Sequence, residues 1–231
     1  AVRALRAADV VLVDDLVNRA VLEHTRPGTR VIAVGKRGGS KSTPQAFIER
    51  LMLQEARAGH TVVRLKGGDP FLFGRGGEES AHLRAAGLEV TVIPGITSGL
   101  AAPLVAGISV THREASPGVI FVTGHEKDGA GERIDWEALA ASGLTLVIYM
   151  GVSKAGRIQE RLLAAGLSGA TPVAAVASAT LAEQRIATGT LQAMAQMIQR
   201  AGIVSPAILV IGEVARAAVE QLAATARSAA A

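Results

Sequence analysis

The sequence contains no cysteine among its 231 residues, which excludes a disulfide framework, a thiolate nucleophile and a cysteine-ligated metal. Aromatic side chains are scarce as well: one Trp, one Tyr and four Phe leave few platforms for stacking bases. Lys plus Arg exceed Asp plus Glu by 24 − 20 = 4, and the basic residues are scattered rather than gathered in a run. A nucleic-acid partner is therefore not expected, and a small anionic ligand suits the charge balance better. No apolar run reaches the roughly 18 residues that a membrane span requires, and residues 1–8 lack the long apolar segment of a signal peptide. These absences predict no membrane partner and a cytoplasmic protein. His24, His60, His82, His112 and His125 show no HxH or HExxH spacing, so no metal is expected.

What is present is a rhythm. Apolar, β-rich runs recur at "VVLVD" (10–14), "RVIAVG" (30–35), "TVVRLK" (61–66), "EVTVIPG" (89–95), "GVIFVTG" (118–124), "LTLVIYMG" (144–151), "PVAAVAS" (172–178) and "AILVIG" (207–212). Helical patterns separate them, which predicts an α/β fold. Several runs are apolar at nearly every position, as expected of strands covered on both faces in a largely parallel sheet. "STPQAFIERLMLQEARAG" predicts a helix with Thr43 as N-cap, Pro44 at the first helical position and Gly59 as its stop. "EESAHLRAAG" (78–87) predicts another. The polar passage "SVTHREASPG" (109–118) reads as a linker, so two domains are expected, 1–113 and 114–231.

The densest signal is "RLKGGDPFLFGRGGEE" (64–79), which puts five glycines, a proline, two phenylalanines and a run of charges directly after a predicted strand. Open α/β folds hold ligands at the C-terminal ends of their strands, and glycine permits close approach of backbone to ligand. Arg75 can form a bidentate pair with a carboxylate. Glu78 can accept from a ring N–H or simply favour the first turn of a helix. The stretch is neither a P-loop nor a dinucleotide-binding fingerprint, because neither spacing is met. At two other strand ends stand Asp14, with Asp15 beside it, and Lys36.

Taken in order, "VRLKGGDPFLFGRGGEE", "VIPGITSGLAAPLVAGISVTHR", "VTGHEK" and "LVIYMG" resemble the tetrapyrrole methylase family from about residue 1 to 214. The resemblance implies two α/β domains with the active site in the cleft between them, and a homodimer. It implies binding of S-adenosylmethionine, with S-adenosylhomocysteine as product. The implied activity is C-methylation of the tetrapyrrole uroporphyrinogen III at carbons 2 and 7, giving precorrin-2 on the route to sirohaem and cobalamin.

The same resemblance assigns Gly67, Gly68, Asp69, Leu72, Thr97, Ser98, Met150 and Ala179 to the cofactor. It assigns Arg75, Glu78, Arg113 and Met150 to the substrate. Asp14 is matched to the proton acceptor and Lys36 to the proton donor. Read without it, Thr97 and Ser98 would be helix caps, Met150 a core residue, Arg113 a solvated linker residue and Asp14 a turn residue, while Lys36 could equally pair with a substrate carboxylate. Members of the family open with an apolar strand and a GxGPGDP loop, whereas this sequence opens in the helix that follows. The sequence is accordingly expected to be a piece of a longer protein, or to bind the cofactor poorly. A later precorrin methylase and a binding-only fragment remain alternative readings, and a nucleotide-dependent oxidoreductase ranks below both.

Overall fold

A computed structural model describes residues 1–35, 43–124 and 134–229. The chain divides into two compact units, Ala1–Thr97 and Ser98–Ala231.

The first unit is built on β1 (Val10–Val13), β2 (Arg30–Ala33) and β3 (Val62–Leu65), with helices α1 (Val2–Ala7), α2 (Gln45–Arg57) and α3 (Gly76–Ala85). The strands are all parallel in the order β2-β1-β3. Central β1 reads VVLV because both of its faces are covered. Successive strand side chains point to opposite faces, and here Val11 and Val13 pack with Leu5, Ala8 and Val17, whereas Val10 and Leu12 pack with Val34, Ile48 and Met52. Ile48 and Met52 stand one helical turn apart on α2, so the sequence spacing of that helix delivers both to one side.

Gly59 ends α2 as expected, in a left-handed conformation with φ +86. The start differs: Gln45 is the first helical residue, Pro44 occupies the cap position, and Thr43 donates its hydroxyl to the Gly35 carbonyl at 3.5 Å instead of capping. The predicted strand at 89–95 is not a strand. Its alternating apolar residues give it β propensity, but a strand also needs a neighbour to bond, and β3 pairs only with β1.

The second unit comprises α4 (Ser98–Val105), β4 (Val119–Thr123), α5 (Trp136–Ala141), β5 (Thr145–Tyr149), α6 (Ala155–Ala164), β6 (Pro172–Ala177), β7 (Arg185–Thr190), α7 (Met194–Arg200), β8 (Ala207–Ile211) and α8 (Arg216–Ala229). Its sheet runs β4-β5-β8-β6-β7. Only β4 and β5 pair in parallel, while β8 lies antiparallel between β5 and β6, and β7 is antiparallel to β6. The expectation of a largely parallel sheet holds for the first unit and fails for the second. Continuous apolar runs report burial on two faces, not strand direction. Strand β7 lacks the apolar run that marks the others: RIATGT is an edge strand in which only Ala187 is buried. Helix α4 contacts β5, β6 and β8, so the division of the chain at 97/98 precedes the expected 113/114.

Candidate functional site

In the first unit the candidate residues gather where the parallel strands end. Register aligns Val13 with Leu65, so Asp14 and Lys66, each one residue further on, emerge side by side. The Asp14 N–H donates to the Leu65 carbonyl at 3.2 Å. Its carboxylate takes a 2.7 Å hydrogen bond from Arg64 Nη2 at Oδ1 and faces Lys66 Nζ at 3.3 Å through Oδ2. Asp15 is exposed and joins neither cation. Lys36 lies outside the described residues, as does His125.

Beyond Lys66 the chain enters the glycine-rich loop. Gly67 and Gly68 are exposed, and no hydrogen bond among the described residues uses their N–H groups. Asp69 shapes the loop with both oxygens: Oδ1 accepts from the Phe71 N–H at 2.8 Å, and Oδ2 accepts from the Gly95 N–H at 3.2 Å. This ties residues 67–72 to the stretch that leads to Thr97. The tie is close, since a Cβ on Gly95 would lie 2.2 Å from the Gly68 carbonyl oxygen. Leu72 is half-buried within the loop, and Phe71 and Phe73 are exposed.

Arg75 ends the loop in a left-handed conformation, φ 58, and α3 begins at the next residue. Its Nε and Nη2 both bond to Glu78 Oε2, at 3.1 and 2.6 Å. Nη1 is left with no bond among the described residues and remains available to an incoming carboxylate. The hydrogen bonds from Arg75 hold the Glu78 carboxyl below its ordinary value of 4.5, and Glu78 in turn raises the Arg75 guanidinium. A depressed carboxyl contributes stability above its unfolded value and loses that contribution as pH falls through the folded one. Glu78 should thus titrate below 4.5 in carboxyl-selective NMR, and Arg75→Gln should move its midpoint upward. An unmoved midpoint would show that the pair does not form in solution.

In the second unit β5 and β6 run in the same direction with β8 between them, so Tyr149 and Val176 both pair with Ile208. Met150 and residues 178–180 therefore leave the sheet at one edge. Backbone strain concentrates there: Met150, Ser178 and Thr180 have φ of 55, 47 and 69. Across the described residues the only other non-glycine positions with positive φ are Phe73 and Arg75. Such conformations are sparsely populated by L residues and cluster where function holds them in place, and here all of them fall in strand exits that carry candidate residues. Ala179, flanked by two of them, has no hydrogen bond among the described residues to occupy its N–H or carbonyl. Ser98 opens α4 beside Gly99, whose N–H donates to the Tyr149 hydroxyl at 2.7 Å, which fixes Ser98 near the strand that delivers Met150. Arg113 sits exposed in the turn closed by His112 and Ser116, and no contact among the described residues joins it to the other candidates. No group of three or more His, Asp or Glu among the described residues is placed to hold a metal ion.

A family model described as Tetrapyrrole (Corrin/Porphyrin) Methylases matches residues 1–195. The chain belongs to the tetrapyrrole methylase family. Within that family, a uroporphyrinogen-III C-methyltransferase of Pseudomonas aeruginosa is 52% identical over 221 residues, which cover 96% of this chain and 89% of that protein. A siroheme synthase of Sodalis glossinidius is 49% identical over 210 residues; this chain spans only 44% of that longer protein, with 91% of its own length matched. Among solved structures, a uroporphyrin-III C-methyltransferase of Thermus thermophilus in complex with S-adenosylhomocysteine matches at TM-score 0.77 and 38% identity, covering 94% of this chain and 90% of that one. A cobalt precorrin-4 methyltransferase of cobalamin biosynthesis matches at TM-score 0.81 and 26% identity, over 92% and 87%.

Arg64, Lys66 and Glu79, to which the sequence alone assigns no role, are the residues in contact with Asp14 or with its partners. The available signal was an arginine inside an otherwise apolar strand. A buried guanidinium requires anions, and its sequence offered two candidates, one at a neighbouring strand end and one on the following helix.

Proposed function

We propose that this tetrapyrrole methylase transfers methyl groups from S-adenosylmethionine to carbons 2 and 7 of uroporphyrinogen III, giving precorrin-2. The observation that carries the reading is the exit of β3: open glycine amides, an exposed arginine with spare donors, and a carboxylate held between two cations, all within one stretch of chain and its neighbouring strand end. The similarity to the Pseudomonas and Thermus enzymes supports it. When bound, S-adenosylmethionine supplies an electrophilic methyl group on a positively charged sulfur.

The residues present suit such a ligand, because an adenosyl amino acid carries donors and acceptors on several sides and the chain offers unengaged backbone at Gly67, Gly68 and Ala179. Leu72, Thr97, Ser98 and Met150 complete the cofactor set. Asp69 contributes by fixing the loop, since Oδ1 is engaged by the Phe71 N–H within it and Oδ2 by the Gly95 N–H beside it. Arg75 meets substrate carboxylates through Nη1, assisted by Arg113, and Glu78 orients Arg75. Methyl transfer needs in-line positioning first and proton removal afterwards, and Asp14 takes up the proton released from the methylated macrocycle. Lys36 is assigned the return of a proton. The protein acts as a cytoplasmic homodimer, to which the exposed Leu100 and Leu104, one turn apart on α4, lend support.

Incubation of the purified protein with uroporphyrinogen III and methyl-labelled S-adenosylmethionine tests the proposal. A labelled product heavier by two methyl groups is expected. The high TM-score to the precorrin-4 enzyme favours a second reading, a later precorrin methylase, which would leave uroporphyrinogen III unlabelled and label a precorrin instead. Binding of S-adenosylhomocysteine without transfer to either compound would overturn both.

A further inference from the structure

Asp14, Arg64, Lys66 and Glu79 form a closed quartet. Arg64 gives Nη2 to Asp14, Nε to Glu79 at 3.2 Å and Nη1 to the carbonyls of Leu12 and Leu65. Lys66 Nζ stands 3.3 Å from Asp14 Oδ2 and 3.5 Å from Glu79 Oε2. Gln45, at the start of α2, donates to Glu79 Oε1 at 3.0 Å. The side chains of Glu79, Lys66 and Arg64 are only 5%, 9% and 11% exposed, against 28% for Asp14. The quartet is closed at Glu79 and open at Asp14.

Stability alone does not explain this arrangement, since well-packed apolar side chains commonly replace a buried ionic cluster with no loss. The two cations and two anions balance formally, and that balance changes when Asp14 takes up a proton. With Glu79 in place, Lys66 and Arg64 then still have an anionic partner. Without it, two poorly hydrated cations would face a neutral acid with no anion to pair with, an arrangement that burial makes costly.

We infer that Glu79 is a positioning residue for the methylation: acting through Arg64 and Lys66, it orients the Asp14 carboxylate and keeps both cations paired while Asp14 Oδ2 receives the proton. The methylated carbon itself carries no hydrogen, so in that step the N–H of the cationic methylated ring or an adjoining meso C–H bond breaks, its electron pair stays on the macrocycle and neutralises it, and an O–H bond forms on Asp14. Lys66, whose contact with Asp14 is longer than that of Arg64, is the group that yields. The inference rests on the assignment of Asp14 as proton acceptor, and its test separates the two.

Glu79→Gln should lower kcat by about tenfold with KM and S-adenosylhomocysteine affinity within about twofold of wild type, because only a step after binding is affected. Adding Glu79→Gln to Asp14→Asn should produce no further loss, as residues acting through one group are not additive. A purely structural cross-link would instead lower the unfolding temperature and leave kcat of the folded protein intact. If Glu79→Gln does not fold by circular dichroism, Lys66→Met carries the same comparison. Wild-type kcat in Asp14→Asn overturns the assignment of Asp14 itself. A loss in Asp14→Asn beside an unaffected Glu79→Gln, or multiplied losses in the double variant, overturns the role of Glu79 alone.

Discussion

Asp14→Asn should lower kcat for methylation of uroporphyrinogen III by roughly 10²–10⁴-fold, the range that loss of a general base produces. Affinity for S-adenosylhomocysteine should stay near wild type, because Asp14 belongs to the exit of β1 and the open amides assigned to the cofactor belong to the loop after β3. The substitution keeps the shape of the side chain but sets a neutral amide between Arg64 and Lys66, so an accompanying loss of about 1–3 kcal/mol in stability is expected. Asp15→Asn is the matched control. That neighbour is exposed and pairs with neither cation, so its kcat should match wild type. If both variants retain full activity, the proton leaves to solvent or to another group.

The second large effect should come from Gly95→Ala, and it should fall on binding instead. The added methyl would lie 2.2 Å from the Gly68 carbonyl oxygen and 3.1 Å from its carbon, both backbone atoms that cannot swing aside. One strand of chain must move, and with it goes the hydrogen bond from the Gly95 N–H to Asp69 that closes the loop. Misplacement by about 1 Å in a site of this kind costs on the order of 10²-fold, and overpacking adds about 1–3 kcal/mol of destabilisation. Calorimetric titration with S-adenosylhomocysteine should therefore show affinity lost by about that factor in a protein still folded by circular dichroism. Gly77→Ala separates this effect from glycine replacement in general: nothing lies within 4 Å of its added Cβ, and in the first turn of α3 alanine should be neutral or slightly stabilising, by up to about 1 kcal/mol. Equal affinity in the two variants would show that the loop is not the cofactor's seat.

The two experiments are complementary because the residues proposed for chemistry and those proposed for binding sit on different strand exits of one sheet. A single change that abolished both would point to collapse of the β1–β3 edge rather than to either role.

Much of this organisation was legible in the residues. VVLVD announces a strand buried on both faces because each side chain is apolar, and the helices flanking it carry their apolar positions one turn apart. The order of motifs from RLKGGDP to LVIYMG identified the family, since long motifs in fixed order rarely arise by chance. Local chemistry also marked where the loops must turn, at Gly59 for example.

The rest depended on partners far apart in sequence. RIATGT became a strand because β6 offered it an edge, while EVTVI, with the better β pattern, found no strand beside it. The reversed direction of β8 could not be read from AILVI, because an apolar run looks the same either way round. Above all, nothing local to Asp14 distinguishes it from Asp15. Only the pairing of β1 with β3 brings Arg64 and Lys66 to one carboxylate and not the other, and only the return of α3 lays Glu79 behind them. Sequence by itself determined the fold class, the family and the residue types at the site. Tertiary structure decided which charges meet, because an ion pair depends on distance in space and not on separation along the chain.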